Sequence, residues 1–185
     1  MKLHLGCGDK RIEGYVNIDA REIPGVVDEV ADIKKLENYK KESVDLIYAC
    51  HVLEHIPRRE YTEVLTRWRE ILKFGGKLRI AVPDIEQVFY HYKQHRNLRA
   101  LRGYLWGGQT HGFNYHYCGW DFKDMEEDLT AIGFHSIRKY DWRATDHSHI
   151  NDFSKAYLPH DPQAIKDNSF DDRHQLMSLN VIATK

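Results

Sequence analysis

No stretch of this 185-residue chain stays apolar long enough to cross a bilayer, so membrane insertion is not expected. Charge of neither sign dominates. Twenty-seven Lys and Arg against 28 Asp and Glu leave a formal charge of -1, too little to draw the chain to nucleic acid or anionic lipid. Cysteine is scarce: three scattered residues, an odd number, do not make a disulfide framework and point to a reducing, cytoplasmic setting. The chain runs almost directly into LHLGCG, so no signal peptide is expected. Internal repeats and low-complexity segments are also missing. What is present suits a soluble core: 42% of residues are apolar and 12% aromatic, enough for a single domain over residues 1–185.

Short apolar runs at Lys2–Leu5, Tyr15–Asp19 and Val26–Val30 read as strands, and the continuous run VDLIYAC, Val44–Cys50, as a strand buried on both faces. From Pro57, suited to a first helical position, an apolar stripe of Tyr61, Val64, Leu65, Trp68, Ile71 and Leu72 predicts a helix stopped at Gly75 and Gly76. KLRIAVPD is a strand ended by Pro83, with Asp84 capping a helix through IEQVFYHYKQHRNLRALRGYL. The loop WGGQTHGFNYHYCGW follows, then a helix from Asp121 to Gly133, and strands at FHSIRKYDW and LMSLNVIATK. The polar stretch 143–175 has no readable pattern.

Strands alternating with helices predict an α/β doubly wound, Rossmann-like sheet. The first two crossovers are too short for the usual helix: roughly nine residues each, where a parallel crossover ordinarily takes roughly 10–12 or more. The first helices should be reduced to turns. The thinly covered face near the first three strands would take its cover from the polar stretch or from a partner subunit in a homodimer.

The glycine turn after strand one carries the chemistry. Gly6 and Gly8 let backbone approach a ligand, and the turn lies at the carboxyl edge, where such sheets bind ligands. Asp19 ends strand two, where a carboxylate can accept two ribose hydroxyls, and Asp32 after strand three can reach an adenine amine. A pyrophosphate needs a helix N-terminus, which the short crossover removes, and no triphosphate loop exists. A nucleoside without phosphates fits better, and S-adenosylmethionine is the common one. For each element a plain alternative exists: a tight turn for Gly6 and Gly8, a cap for Asp19.

In order and spacing, LHLGCG, Asp19, ADI at Ala31–Ile33, VLEHIP at Val52–Pro57, ILKFGGKLRI and AVPD at Ala81–Asp84 resemble class I S-adenosylmethionine-dependent methyltransferases. The short crossovers resemble a small bacterial subgroup found in surface-polysaccharide and small-molecule methylation. The resemblance implies a seven-stranded sheet ordered 3-2-1-4-5-7-6 with the last strand antiparallel. It implies that Gly6, Cys7 and Gly8 meet the methionine part through backbone, Asp19 the ribose, and Asp32 and Ile33 the adenine. Cys50 and His51 would flank the methionine chain. Two departures stand out: His4 replaces a frequent acid, and Lys10 the third glycine. Lys10 or Arg11 would then meet the cofactor carboxylate.

The segment of about 84–120 would cover the substrate. His116, His111 and Asp84 are the candidate bases for an alcohol acceptor, and His55, Tyr115 and Trp106 the candidate acceptor contacts. Against these stand plain roles: hydrogen bonding in a surface loop for the histidines, core packing for the tryptophan, and, for Glu54 and His55, ordering of the loop before the helix. No His or Cys spacing matches a strong zinc pattern, and no metal is expected. The expected reaction is methyl transfer to a small-molecule acceptor, most simply an oxygen of a sugar or nucleotide-linked intermediate. A cofactor-binding scaffold without catalysis is the alternative.

Overall fold

The computed structural model covers residues 1–185. Nine strands run β1 (Lys2–Leu5), β2 (Val16–Asp19), β3 (Glu29–Val30), β4 (Val44–Cys50), β5 (Leu72–Pro83), β6 (His135–Lys139), β7 (Tyr157–Leu158), β8 (Gln175–Leu176) and β9 (Ser178–Thr184). Five helices join them: α1 (Tyr61–Ile71), α2 (Ile85–His95), α3 (Leu98–Trp106), α4 (Phe122–Ile132) and α5 (Pro162–Asp167). Seven strands form one sheet in the order β3-β2-β1-β4-β5-β9-β6, in which β9 alone runs antiparallel to its neighbours. Strands β7 and β8 pair separately. With β9 as the seventh strand of the main sheet, this is the expected topology.

Strand alternation sorts the side chains. Leu3, Leu5, Ile18, Ile47 and Ala49 join the main apolar core with Val64, Leu65, Trp68 and Ile71 of α1 and Met125 and Leu129 of α4. The opposite face carries a polar row in one register: Asn17 beside His4, His4 beside Tyr48, Tyr48 beside Arg79. His4 stacks on Tyr48 with ring centroids 5.3 Å apart.

Neither of the first two crossovers contains a helix, as their length requires. Asn17 takes over the helix's task of satisfying backbone. Its Oδ1 accepts from Ile12 N at 2.9 Å, and its Nδ2 donates to Ile12 O and Tyr15 O, both at 3.1 Å. Asp28 receives both Asn17 Nδ2 and Asn17 N at 2.9 Å, and Arg11 Nη1 at 2.7 Å, which ties the two crossovers together.

The polar stretch supplies the missing cover. Tyr48 donates its hydroxyl to Asp152 at 2.7 Å, Arg79 Nη1 donates to Asp146 at 3.1 Å, and the His147 ring lies 4.2 Å from that of Tyr48. Ile150 packs on the small cluster of Ile12, Tyr15 and Tyr48. The stretch is polar because the face it covers is polar.

Several element boundaries differ from the sequence reading. α1 begins at Tyr61, beyond a turn that contains Pro57, and ends at Ile71, where Leu72 turns extended with ψ 139°. Gly75 and Gly76 therefore lie within β5. The helix expected after Asp84 is two: Arg96 adopts a left-handed φ of 52°, and Asn97 caps α3 by accepting from Ala100 N. β3 shrinks to Glu29–Val30.

Two predictions follow from the polar row. Asn17→Ala strips partners from a buried backbone turn and should cost about 3 kcal/mol in urea unfolding; an unchanged midpoint would contradict this role. Burial holds His4 at about 4, so the folded protein keeps it neutral. As pH falls from about 6.5 the unfolded chain protonates first, and stability drops by about 3 kcal/mol until about pH 4. Urea midpoints of His4→Gln should be flatter across that window than those of the parent; parallel profiles would refute the assignment.

Candidate functional site

A cavity of about 540 Å³ opens at the carboxyl ends of β1, β2 and β4, within the size range of small-molecule sites. The turn after β1 forms its floor. Gly6 has φ +63°, and a Cβ there would lie 2.3 Å from Val52 Cγ2, so only glycine fits. Gly8 N donates to Asp19 Oδ2 at 2.8 Å. Asp19 Oδ1 accepts from Arg21 N and Nε, both at 3.0 Å. Burial raises the Asp19 pKa, but the hydrogen bonds from Arg21 and Gly8 outweigh it and hold the carboxyl below its usual range. An ionised acceptor thus faces the cavity where β2 ends.

Asp32 and Ile33 line the cavity after β3. Asp32 Oδ1 accepts from Lys34 N at 2.9 Å, and the buried Trp68 of α1 donates Nε1 to Ile33 O at 2.8 Å. The helix thereby fixes the adjoining loop. Cys7 and Cys50 both line the cavity as expected. Burial pushes the Cys7 thiol up to about 12 and Cys50 well above its ordinary value, so neither is a thiolate at neutral pH. His51 follows with φ 51°, its Nε2 3.1 Å from Ser178 Oγ.

A second layer lies behind His51. Glu54, in the short 3-10 turn Leu53–His55, is fully buried, and neither carboxylate oxygen has a hydrogen-bond partner. His55 Nδ1 meets Tyr115 O at 3.0 Å and His116 Nδ1 meets Tyr104 O at 2.9 Å. The two imidazoles stand edge to face, centroids 4.8 Å apart, and His116 Nε2 is 4.0 Å from Glu54 Oε1. Burial lowers the His116 pKa, which favours the neutral ring. Tyr117 N donates to Glu54 O at 2.8 Å and binds the loop to the end of β4.

The cavity brings together Gly6, Cys7, Gly8, Lys10, Asp19, Asp32, Ile33, Cys50, His51, His55 and His111. Four candidates lie off it. Asp84 is buried as the α2 cap, accepting from Glu86 N and Gln87 N, so it does not reach the cavity as a base. His116 sits one layer back, Tyr115 contributes its carbonyl to His55, and Trp106 is half exposed at the end of α3. Arg11 is committed to Asp28 and Glu13, which leaves Lys10 as the basic side chain of this turn on the cavity. Arg21, Asn114, Asp152 and Phe153 also line it and were not expected. Arg21 sits two residues after Asp19 and could have been suspected; Asp152 and Phe153 arrive from a stretch without periodicity.

Residues 13–80 match a family model for a methyltransferase domain. No curated protein matches the chain. Solved structures share the fold at low identity. An S-adenosylmethionine-dependent methyltransferase from Archaeoglobus fulgidus aligns with TM-score 0.60 and 14% identity, over 100% of this chain and 85% of that one. One from Thermotoga maritima gives 0.61 and 14%, over 100% and 81%. The 1,6-didemethyltoxoflavin-N1-methyltransferase of Burkholderia thailandensis, solved with S-adenosylhomocysteine, gives 0.56 and 16%, over 100% and 70%. The strand order is the fold these solved methyltransferases share, and residues 13–80 resemble their methyltransferase domain.

Proposed function

We propose that the chain transfers a methyl group from S-adenosylmethionine to an oxygen of a small-molecule acceptor. One observation carries the reading: the glycine turn, Asp19 and Asp32 converge on a single cavity that also reaches the loop at His111. The residues fit the cofactor. The Gly6 position, which a Cβ would fill, leaves bare backbone for the methionine part. Asp19, held ionised by Arg21 and Gly8, accepts the ribose hydroxyls. Asp32 and Ile33 flank the adenine, Lys10 faces the cofactor carboxylate, and Cys50 and His51 border the methionine chain.

When bound, the cofactor supplies a methyl group already activated on a sulfonium. The protein's task is therefore alignment and exclusion of water. The acceptor enters beside Phe113, Asn114 and Tyr117 of the loop after α3, which line the same cavity as the glycine turn. His111 is the candidate base that stands on the cavity, able to take a hydroxyl proton. The near-neutral charge supports a small acceptor over a polyanion, and a sugar or nucleotide-linked alcohol suits a polar, partly aromatic entrance. No helix is long and apolar enough to cross a membrane, and the three free thiols fit a reducing cytoplasmic compartment.

Calorimetry with S-adenosylmethionine and S-adenosylhomocysteine should give saturable binding to the parent. Asp19→Ala should weaken both by roughly 10–100-fold, the worth of charge-assisted hydrogen bonds. Unchanged affinity in that variant would overturn the cofactor assignment. S-adenosylhomocysteine should accumulate by chromatography when sugar or nucleotide-sugar alcohols are added. Cofactor binding without turnover on any acceptor would make the chain a binding scaffold instead.

A further inference from the structure

We propose that Glu54, His55 and His116 bind one divalent transition-metal ion at the wall of the cofactor cavity, where a hydroxyl of the acceptor completes its coordination. The second half rests on the methyltransferase reading above; the metal site does not. One carboxylate oxygen and two imidazole nitrogens lie within 4.8 Å of one another. Metal–nitrogen and metal–oxygen bonds of roughly 2.0–2.2 Å put neighbouring tetrahedral ligands about 3.4 Å apart, so the side chains must close by about an ångström on an ion.

The surroundings favour a ligand role. Each imidazole spends Nδ1 on a backbone carbonyl, His55 on Tyr115 O at 3.0 Å and His116 on Tyr104 O at 2.9 Å. That fixes the proton on Nδ1 and leaves a lone pair on each Nε2. It is the outer-shell arrangement that orients metal-bound histidines. Glu54 is fully buried with both oxygens unpartnered, a costly state for a carboxylate unless a cation balances it. His51 Nδ1, 3.2 Å from Oε1 but not aligned as a hydrogen bond, supports it from the cavity side. The loop is already secured there by the bond from Tyr117 N to Glu54 O.

Two nitrogens and one carboxylate favour zinc, cobalt, iron(II) or manganese over calcium or magnesium. One carboxylate leaves net positive charge at the ion, which stabilises an oxyanion. His55 lines the cavity, so an ion held by this cluster would border the space left for the acceptor. A hydroxyl bound there loses its proton to His111 or water. Its oxygen then bonds the methyl carbon as the carbon–sulfur bond breaks, and sulfur leaves as a neutral thioether.

The test uses full-length, untagged protein, stripped with chelator and titrated with Co(II) alone. Expected are visible d–d bands saturating at one ion per chain. His55→Ala and His116→Ala should each weaken binding at least 10-fold, and so should Glu54→Gln; His160→Ala, at an exposed histidine, should not. Glu54→Gln alters a fully buried group, so the two histidine variants, checked for native melting, decide the matter. Absence of saturable Co(II) binding to folded parent, or binding unaffected by both histidine changes, overturns the site. Parallel titration with S-adenosylmethionine separates the two readings: cofactor binding without Co(II) binding sinks the metal alone, and the reverse sinks the methyltransferase reading. Equal turnover of a hydroxyl acceptor by stripped and metal-loaded protein overturns acceptor coordination.

Discussion

A row of polar side chains crossing the sheet, Asn17, His4, Tyr48 and Arg79, constrains the rest of the molecule. In a doubly wound sheet that face would ordinarily be apolar and covered by crossover helices. Here the β1–β2 crossover is residues 6–15 and forms no helix. Buried polar groups need partners, and each member of the row has at least one: the backbone of the crossover for Asn17, Asn17 for His4, Asp152 for Tyr48, Asp146 for Arg79. The cover had to be polar and had to come from far along the chain. Residues 146–152 are that cover.

The cavity inherits its form from this arrangement. With no helix after β1, the Gly6–Gly8 turn carries no macrodipole aimed at the ligand, which suits a ligand without phosphates. Negative charge is instead concentrated at Asp19, and it is stabilised locally: Gly8 N ties the carboxylate to the glycine turn, and Arg21 ties it to the chain that follows. Asp152 joins the two regions, because it accepts from Tyr48 of the polar row and also lines the cavity. The covering segment is thus both the roof of the sheet face and one wall of the site.

What the sequence revealed follows from how local each determinant is. β1 and β4 match to the residue, because each is a short strand segment bounded by turn residues. Gly6, Asp19 and Asp32 were legible because each stands at the end of its strand, and parallel strands bring those ends together. Pro57 misled because the chain makes a turn before α1, and the helix starts at Tyr61 with no side-chain cap to announce it. Arg96 in a left-handed conformation divides α2 from α3 with neither glycine nor proline as a marker. Residues 143–175 were unreadable because their order comes from tertiary hydrogen bonds to the polar row, not from periodicity. The grouping of Glu54 with His116 was invisible for the same reason: the two are far apart in sequence and meet only through folding.

The cavity has two halves of different construction, which bears on where selectivity resides. One half, proposed above to hold the cofactor, is made from strand ends that are fixed by the sheet itself. The other half is made from the loop after α3, and three of its anchors are His116 Nδ1 on Tyr104 O, His55 Nδ1 on Tyr115 O, and Tyr117 N on Glu54 O. Two of these three anchors run to the Leu53–His55 turn, directly after β4. The loop therefore registers on the same strand whose end lines the glycine-turn side of the cavity, and under the proposed methyl transfer a change in either anchor would shift acceptor relative to donor. In-line transfer tolerates little such displacement.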